Sequence, residues 1–128
     1  MAIKEAVGQP IVLPGGKLAP FSPAYRAGDQ LFVSGQLAFE SDGSISKAGI
    51  QEQTALCLAH IDQILTQAGL TKFDVVRVGI WLTQQSHFAE FNKVYSEYFG
   101  DHRPARALVI SELALPGACV EIDAIAFY

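Results

Sequence analysis

The chain has 128 residues, of which half are apolar and only 17% are charged. This length supports one domain, residues 1–128, with a core of its own, and it excludes two ordinary domains. The net charge of −4, with no run of Lys or Arg, argues against nucleic acid as a partner.

The N-terminus lacks a basic segment followed by an apolar one, and no apolar run approaches the length of a membrane span. We therefore expect neither a signal peptide nor a membrane partner. The two cysteines do not form a disulfide framework, and the three histidines are scattered without metal-ligand spacing. A cytoplasmic protein without metal or cofactor is the expectation.

The first part of the chain predicts an irregular segment and then a β-hairpin. Residues 8–23 are rich in Pro and Gly, which allows at most a short strand at Ile11–Leu13. Two short runs, Ala24–Ala27 and Gln30–Gly35, flank a Gly28-Asp29 turn and predict the two strands of the hairpin.

A loop with a turn at Asp42-Gly43 precedes the first predicted helix. Apolar residues then recur every three or four positions from Ile50 to Ala68, which is typical of one buried stripe on a helix. Gly69 follows as a stop signal. Cys57 lies on the stripe and is interpreted as a small core residue rather than a nucleophile.

A strand and a second helix follow. Phe73 to Leu82 is rich in Val, Ile and Trp and carries apolar residues on both faces, so both faces should be buried. The second helix should begin with Ser86 as its cap, carry Glu90 near its positive end, run through Phe99 and end at Gly100. Its buried side is predicted to consist of Phe88, Phe91, Val94, Tyr95 and Tyr98/Phe99.

Two strands close the chain, Arg106–Leu113 and Val120–Phe127. Both helices are apolar on one side only, which predicts an α+β domain with two helices on one face of a sheet. The other face needs a cover, because the chain is short of charged residues. A second subunit is the economical cover.

Two charged residues stand in apolar surroundings near the end of the chain, Arg106 and Glu121. A guanidinium binds a carboxylate ligand through two parallel hydrogen bonds, and a carboxylate can handle a proton or a water. Each residue also has a structural interpretation. Arg106 could lie at a strand edge, paired with an acid or extending to water. Glu121 could satisfy backbone donors or pair with Arg77 or Arg103, and Asp123 is equally able to take either role from pattern alone.

Weaker signals come from Ser34-Gly35-Gln36 and from Asn92. Glycine at a strand end allows a ligand or another backbone to approach closely, although a simple bend explains it as well. Asn92 lies within a helix between apolar residues, where its amide is expected to bond neighbouring backbone and fix a loop.

Several motifs in order make the chain resemble the RidA/YjgF family of small enamine and imine deaminases from about Pro20 to Phe127. The motifs are Ser34-Gly35-Gln36, Ala68-Gly69-Leu70, Phe88-Ala-Glu-Phe-Asn92, Tyr95-Ser-Glu-Tyr-Phe99, Pro104-Ala-Arg106 and Val120-Glu-Ile-Asp-Ala-Ile-Ala126. The resemblance implies a chorismate-mutase-like fold, a mixed sheet whose last strand is central. It also implies a homotrimer with active sites in the clefts between subunits.

The resemblance also implies roles for individual residues. By position, Arg106 matches the arginine that binds the substrate carboxylate, and Glu121 matches the glutamate that positions the attacking water. Gly35 and the backbone of Leu108 match ligand contacts, with Ser34 beside Gly35. Asn92 matches the asparagine of the second helix.

Two positions depart from the family pattern. Phe21 stands where a tyrosine is usual, so a hydroxyl is missing from the substrate-binding wall, and Leu108 stands where a cysteine is common. The implied activity is hydrolysis of short 2-imino acids or enamines to 2-oxo acids and ammonia. The alternatives are a non-catalytic trimer that binds small carboxylates, and a chaperone-like or RNA-directed regulator.

Overall fold

A six-stranded sheet, backed on one face by two helices, is the frame of the protein in the computed structural model, which describes residues 2–13 and 15–128. Met1 and Pro14, in the expected N-terminal and irregular segments, lie outside the described residues. The strands are β1 Lys4–Val7, β2 Ala24–Ala27, β3 Gln30–Gln36, β4 Val75–Leu82, β5 Ala105–Ile110 and β6 Val120–Phe127, and the helices are α1 Ile50–Gln67 and α2 Phe88–Phe99.

The strand order is β1-β2-β3-β6-β4-β5, so the last strand of the chain lies in the middle of the sheet. β6 runs antiparallel to β3 and β4, whereas β5 runs parallel to β4 at the edge. Every second residue of β6 is fully buried under the helices, and these residues are Val120, Ile122, Ala124 and Ala126. The expected mixed sheet with its last strand at the centre and two helices on one face is therefore confirmed.

Helix α1 contributes buried residues to the core along most of its length. Its buried residues follow the predicted stripe, and Cys57 is fully buried among them. Burial raises the pKa of the Cys57 thiol far above its usual range, which keeps it protonated and inert. Gly69 has a φ of +79°, as its role just after the helix requires.

Several local predictions were wrong. Ile11–Leu13 is not a strand, since only Val12 forms a bridge there. β1 was missed, because its four residues carry no apolar alternation and gain their pairing only from β2. Phe73 lies in a short 3₁₀ turn capped by Thr71, before β4 begins.

The second helix also begins later than predicted. Ser86 does not cap it, because the Ser86 hydroxyl donates to the side chain of Gln84 within a preceding 3₁₀ turn. His87 occupies the cap position, and Phe88, expected on the buried side, is 45% exposed. Gly100 ends the helix as expected.

The sheet face opposite the helices carries large apolar side chains that are exposed in the single chain. By strand register, these residues alternate with those buried under the helices. They include Tyr25, Phe32, Val109 and Phe127. We call this surface the open face.

Candidate functional site

Arg106 lies on the edge strand β5 and points to the side of the sheet that carries the helices. The register pairs it with Val78, whose side chain is buried under the helices. Its Nη2 donates to Oδ1 of Asn92 on α2 over 2.7 Å. The guanidinium carbon lies 4.8 Å from the centre of the Tyr95 ring and 5.8 Å from that of Phe91. Arg106, Asn92 and Tyr95 together are called the arginine group.

The positive charge of the arginine group is not neutralised by the chain. Within residues 2–13 and 15–128, the side-chain hydrogen-bond partner of Arg106 is a neutral amide, and no carboxylate pairs with it. The expected partner of Asn92 was neighbouring backbone, and the structure gives Arg106 instead. A half-buried guanidinium with a neutral partner retains its attraction for a carboxylate ligand.

Glu121 lies on the central strand β6 and points to the open face, directly across from Trp81 on β4. Burial and the nearby charge of Asp123 raise the pKa of the Glu121 carboxyl above its usual range. In the described part of the chain, its carboxylate has neither Arg77 nor Arg103 as an ion-pair partner. Glu121 with Gly35 and Asp123 is called the glutamate group.

Asp123 differs from Glu121 in having a structural partner. Its Oδ1 accepts a hydrogen bond from the backbone N–H of Gly79 over 2.9 Å. Such a bond to the ionised form explains a carboxylate in this position without any ligand. The geometry thus separates two acids that the sequence pattern left equivalent, because Asp123 has this structural partner.

Gly35 is required by the close approach of Glu121. A Cβ atom added at Gly35 would lie 3.0 Å from the carboxyl carbon of Glu121 and closer still to one of its oxygens. The register of β3 against β6 shifts at this point, where Ser34 and Gly35 lie between two regular pairings. A glycine at such an irregularity makes room for the neighbouring carboxylate.

Ser34 directly precedes Gly35 on β3, and Phe21 lies in the segment before β2. The Ser34 hydroxyl donates to the carbonyl of Ser22 over 2.6 Å, which fastens the segment that carries Phe21 to β3. Phe21 is 54% exposed, and its predicted place in the substrate-binding wall stays a prediction. Leu108 instead shares the face of Arg106, where it is half-buried and packs against the core.

The predicted site residues therefore form two separate sets within one chain. Arg106, Asn92 and Leu108 lie on the helix side, whereas Glu121 and Gly35 lie on the open face. Arg106 is level with Val78, and Glu121 is level with Trp81. The two charges are therefore three residues apart along the strands, and two strand spacings of about 4.8 Å each lie between β5 and β6. They also lie on opposite faces of the sheet. One chain cannot place both on the same small molecule.

Two features of the site were missed from sequence. Tyr95 was assigned to the core, although its spacing of three residues from Asn92 places both on one side of α2. Gln53, which is 2% exposed, has the spacing of the predicted stripe on α1, but as a polar residue it was not counted in that stripe. Its amide bonds the backbone of Ser46 and Ala48 and links α1 to Gly117 and Cys119, which lead into β6.

No group of three His, Cys, Asp or Glu side chains among the described residues could hold a metal ion. None of the described helices is both long and apolar enough to cross a membrane.

The fold and the two charged groups define the class of protein, an α+β domain with a cationic and an acidic half-site on opposite faces of its sheet. The family described as Endoribonuclease L-PSP matches residues 16–128. The RutC family protein PH0854 of Pyrococcus horikoshii is 39% identical over 111 residues, which are 86% of this chain and 88% of the relative. Protein mmf1, mitochondrial, of Schizosaccharomyces pombe is 32% identical over 129 residues, or 98% of this chain and 77% of the relative.

Solved structures of related proteins have the same fold as this chain. A protein of Thermotoga maritima has a TM-score of 0.88 and 35% identity over 98% of each chain. Escherichia coli TdcF with bound serine has a TM-score of 0.84 and 28% identity, covering 98% of this chain and 99% of TdcF. The chain belongs to the Endoribonuclease L-PSP family, which contains the RidA/YjgF proteins, as its motifs predicted.

Proposed function

We propose that the protein is an enamine and imine deaminase, which hydrolyses short 2-imino acids of the 2-iminopropanoate and 2-iminobutanoate type. The products are 2-oxo acids and ammonia. The active form is a homotrimer in which Arg106 of one copy and Glu121 of another face the same cleft. The protein is cytoplasmic in this proposal, although the name of the mmf1 relative assigns that protein to mitochondria.

The observation that carries the proposal is the uncompensated charge of Arg106. Asn92 orients the guanidinium without neutralising it, and the Tyr95 ring supports one of its faces. Such an arrangement favours an anionic ligand that can take two parallel hydrogen bonds, which a carboxylate does. The bound serine of TdcF carries a carboxylate of this kind, which supports a small amino-acid-like ligand here.

Glu121 supplies the proton chemistry in this mechanism. Its carboxylate takes a proton from water as the water oxygen bonds the C=N carbon, and passes this proton to the nitrogen, which gives a carbon bearing one hydroxyl and one amino group. The carboxylate then takes the hydroxyl proton and gives it to the amino nitrogen, so that C=O forms as the C–N bond breaks and ammonia leaves. The raised pKa of Glu121 favours this exchange near neutral pH. Because imines hydrolyse in water, positioning by Arg106 and acid–base help of about 10²–10⁴-fold account for the catalysis.

A partner copy would cover the open face, and it would supply the charged group that a single chain cannot place in the same cleft. Exposed aromatic side chains there, such as Phe32 and Phe127, would lose contact with water in an assembly. Contact between copies would also bring Arg106 of one copy close to Glu121 of another. Phe21 and Leu108 would make the cleft more apolar than in members with tyrosine and cysteine at these positions, which favours imines with an aliphatic side chain.

The test is a coupled assay in which a dehydratase generates 2-iminobutanoate and oxo-acid release is followed. The wild-type protein should accelerate release above buffer, and Arg106→Ala should reduce kcat/KM at least 100-fold, as expected for loss of two charge-assisted bonds. Arg106→Lys should recover only part of the activity. A folded wild-type protein without any acceleration would contradict the deaminase proposal, and full activity in Arg106→Lys would contradict two-point holding.

The second candidate is a trimeric binding protein for small carboxylates without turnover. The missing hydroxyl at Phe21 favours it, and so does TdcF, which holds an intact amino acid. Binding of 2-oxobutanoate that depends on Arg106, without acceleration in the coupled assay, would select this candidate. Retention of RNA would instead support the RNA-directed role that the family description suggests, and the acidic net charge argues against it.

A further inference from the structure

The hydroxyl of Tyr95 is buried and has no hydrogen-bond partner in the part of the chain that the structure describes. Tyr95 is only 8% exposed and lies on α2, one turn after Asn92. A buried hydroxyl without a partner lowers the stability of the folded state, because it has given up its bonds to water. Such a group calls for a reason other than packing.

Arg106 is the charged group beside this hydroxyl. The guanidinium lies over the Tyr95 ring, 4.8 Å from its centre, and uses one of its five N–H groups on Asn92. Burial raises the pKa of Tyr95, and it outweighs the opposite effects of the positive charge of Arg106 and of the approach of its guanidinium to the hydroxyl. The hydroxyl therefore stays neutral at physiological pH and can accept an N–H without neutralising the arginine.

We propose that Tyr95 is a positioning residue for Arg106. Its ring supports the guanidinium, and its hydroxyl oxygen accepts a second guanidinium N–H when a ligand carboxylate binds the outer edge. Asn92 and Tyr95 then hold the inner side of the guanidinium, and the remaining N–H groups form the two bonds to the carboxylate. This inference rests on the proposed role of Arg106 in carboxylate binding.

The arrangement predicts opposite effects on stability and on binding when the hydroxyl is removed. Tyr95→Phe keeps the ring and deletes an unsatisfied buried group, so the melting temperature of the ligand-free protein should stay equal or rise. Binding of 2-oxobutanoate, measured by calorimetric titration, should weaken about 3–10-fold, because the second anchor of the guanidinium is lost. In the imine assay, KM should rise while kcat changes less than about twofold.

Tyr98→Phe is the matched control on the same helix. Its hydroxyl donates to Asp62 on α1 over 2.7 Å and lies outside the arginine group. This variant should lose a little stability and keep the wild-type affinity for 2-oxobutanoate. The uncharged 2-oxobutanamide should bind Tyr95→Phe and the wild type equally weakly, because it cannot use the charge of Arg106.

The outcomes separate this inference from the proposed function. If Arg106→Ala loses 2-oxobutanoate binding while Tyr95→Phe retains full affinity, the role of Tyr95 is wrong and that of Arg106 stands. If Tyr95→Phe loses affinity only together with a fall in melting temperature, Tyr95 is structural and the inference is overturned. If the wild-type protein binds no 2-oxobutanoate, the carboxylate site and the inference fail together.

Discussion

The arginine group and the glutamate group each contain a partly buried ionisable side chain, but the surroundings of the two side chains differ. Arg106 is anchored by a neutral amide and an aromatic ring, so its position is fixed while its charge stays available. Glu121 has no such anchor among the described residues and lies against Gly35; burial, and then the charge of Asp123, raise the pKa of its carboxyl. In the proposed mechanism, the fixed charge of Arg106 holds the ligand and the raised pKa of Glu121 allows it to exchange a proton.

The largest expected effect is a recovery of activity when one inactive variant supplies Arg106 and another supplies Glu121 in the same trimer. Arg106→Ala and Glu121→Gln should each be nearly inactive, because each removes one half of every cleft. Unfolded together in equal amounts and refolded as mixed trimers, they should regain about a quarter of wild-type activity, since one cleft in four would receive both intact residues. Mixing without refolding is the control, and it should give no recovery if subunits exchange slowly.

Failure of the refolded mixture to exceed its parents would contradict a shared cleft. The same result would leave each half-site as part of a separate, single-chain site. Activity measured in the coupled imine assay is the readout, and size-exclusion chromatography checks that trimers have formed.

A second prediction concerns the space beside Glu121. Gly35→Ala should reduce kcat/KM about 10–100-fold, because the new methyl group displaces the carboxylate from its position. The melting temperature should change little, since the displaced atoms are the flexible end of a side chain. Gly79→Ala is the matched control, because its methyl group would meet Asp123 and the ring of Trp81 on the same face.

The control should show the reverse pattern. Gly79→Ala disturbs the bond between its own N–H and Asp123 and presses on a rigid ring, so it should lower stability more than activity. If both glycine variants lost stability and activity to the same extent, a special role for the space at Gly35 would be wrong.

A third prediction tests whether neutrality of the anchor matters. Asn92→Asp keeps the shape of the side chain and places a carboxylate against Arg106, which should raise the melting temperature slightly and weaken 2-oxobutanoate binding about tenfold. Asn92→Ala should weaken binding less, because it removes the anchor and leaves the charge. Equal affinities of Asn92→Asp and the wild type would show that the charge of Arg106 does not decide binding.

The smallest effect concerns stability and pH at Glu121. Because the folded pKa is raised, the folded state holds more protons than the unfolded state from pH 4.5 up to the folded pKa. Stability conferred by the protonated form is therefore lost as the pH rises through this window. Glu121→Gln cannot ionise, so at pH 7 it should melt about 1–2 °C above the wild type, and at pH 4 the two should agree. Thermal melts at both pH values check this, and a lower melting point of the variant at pH 7 would show that ionised Glu121 is stabilised in the assembly.

Local patterns in the sequence determined much of this protein. The apolar periodicity of α1, the Gly28-Asp29 turn and the last strand were predicted from short stretches, because each depends on neighbours within one or two turns or on simple alternation. The start of α2 was misjudged for the same reason, since Ser86 had a nearer partner in Gln84.

Only the tertiary structure decided which residues come together. β6 pairs with β3 and β4, which lie far from it along the chain. The periodicity of a short segment does not predict such a long-range pairing. The register then places Arg106 and Glu121 on opposite faces, gives the Gly79 N–H to Asp123 rather than Glu121, and sets Tyr95 beneath Arg106. These relations depend on strand order and facing, which are set by burial of the whole sheet and not by any single segment.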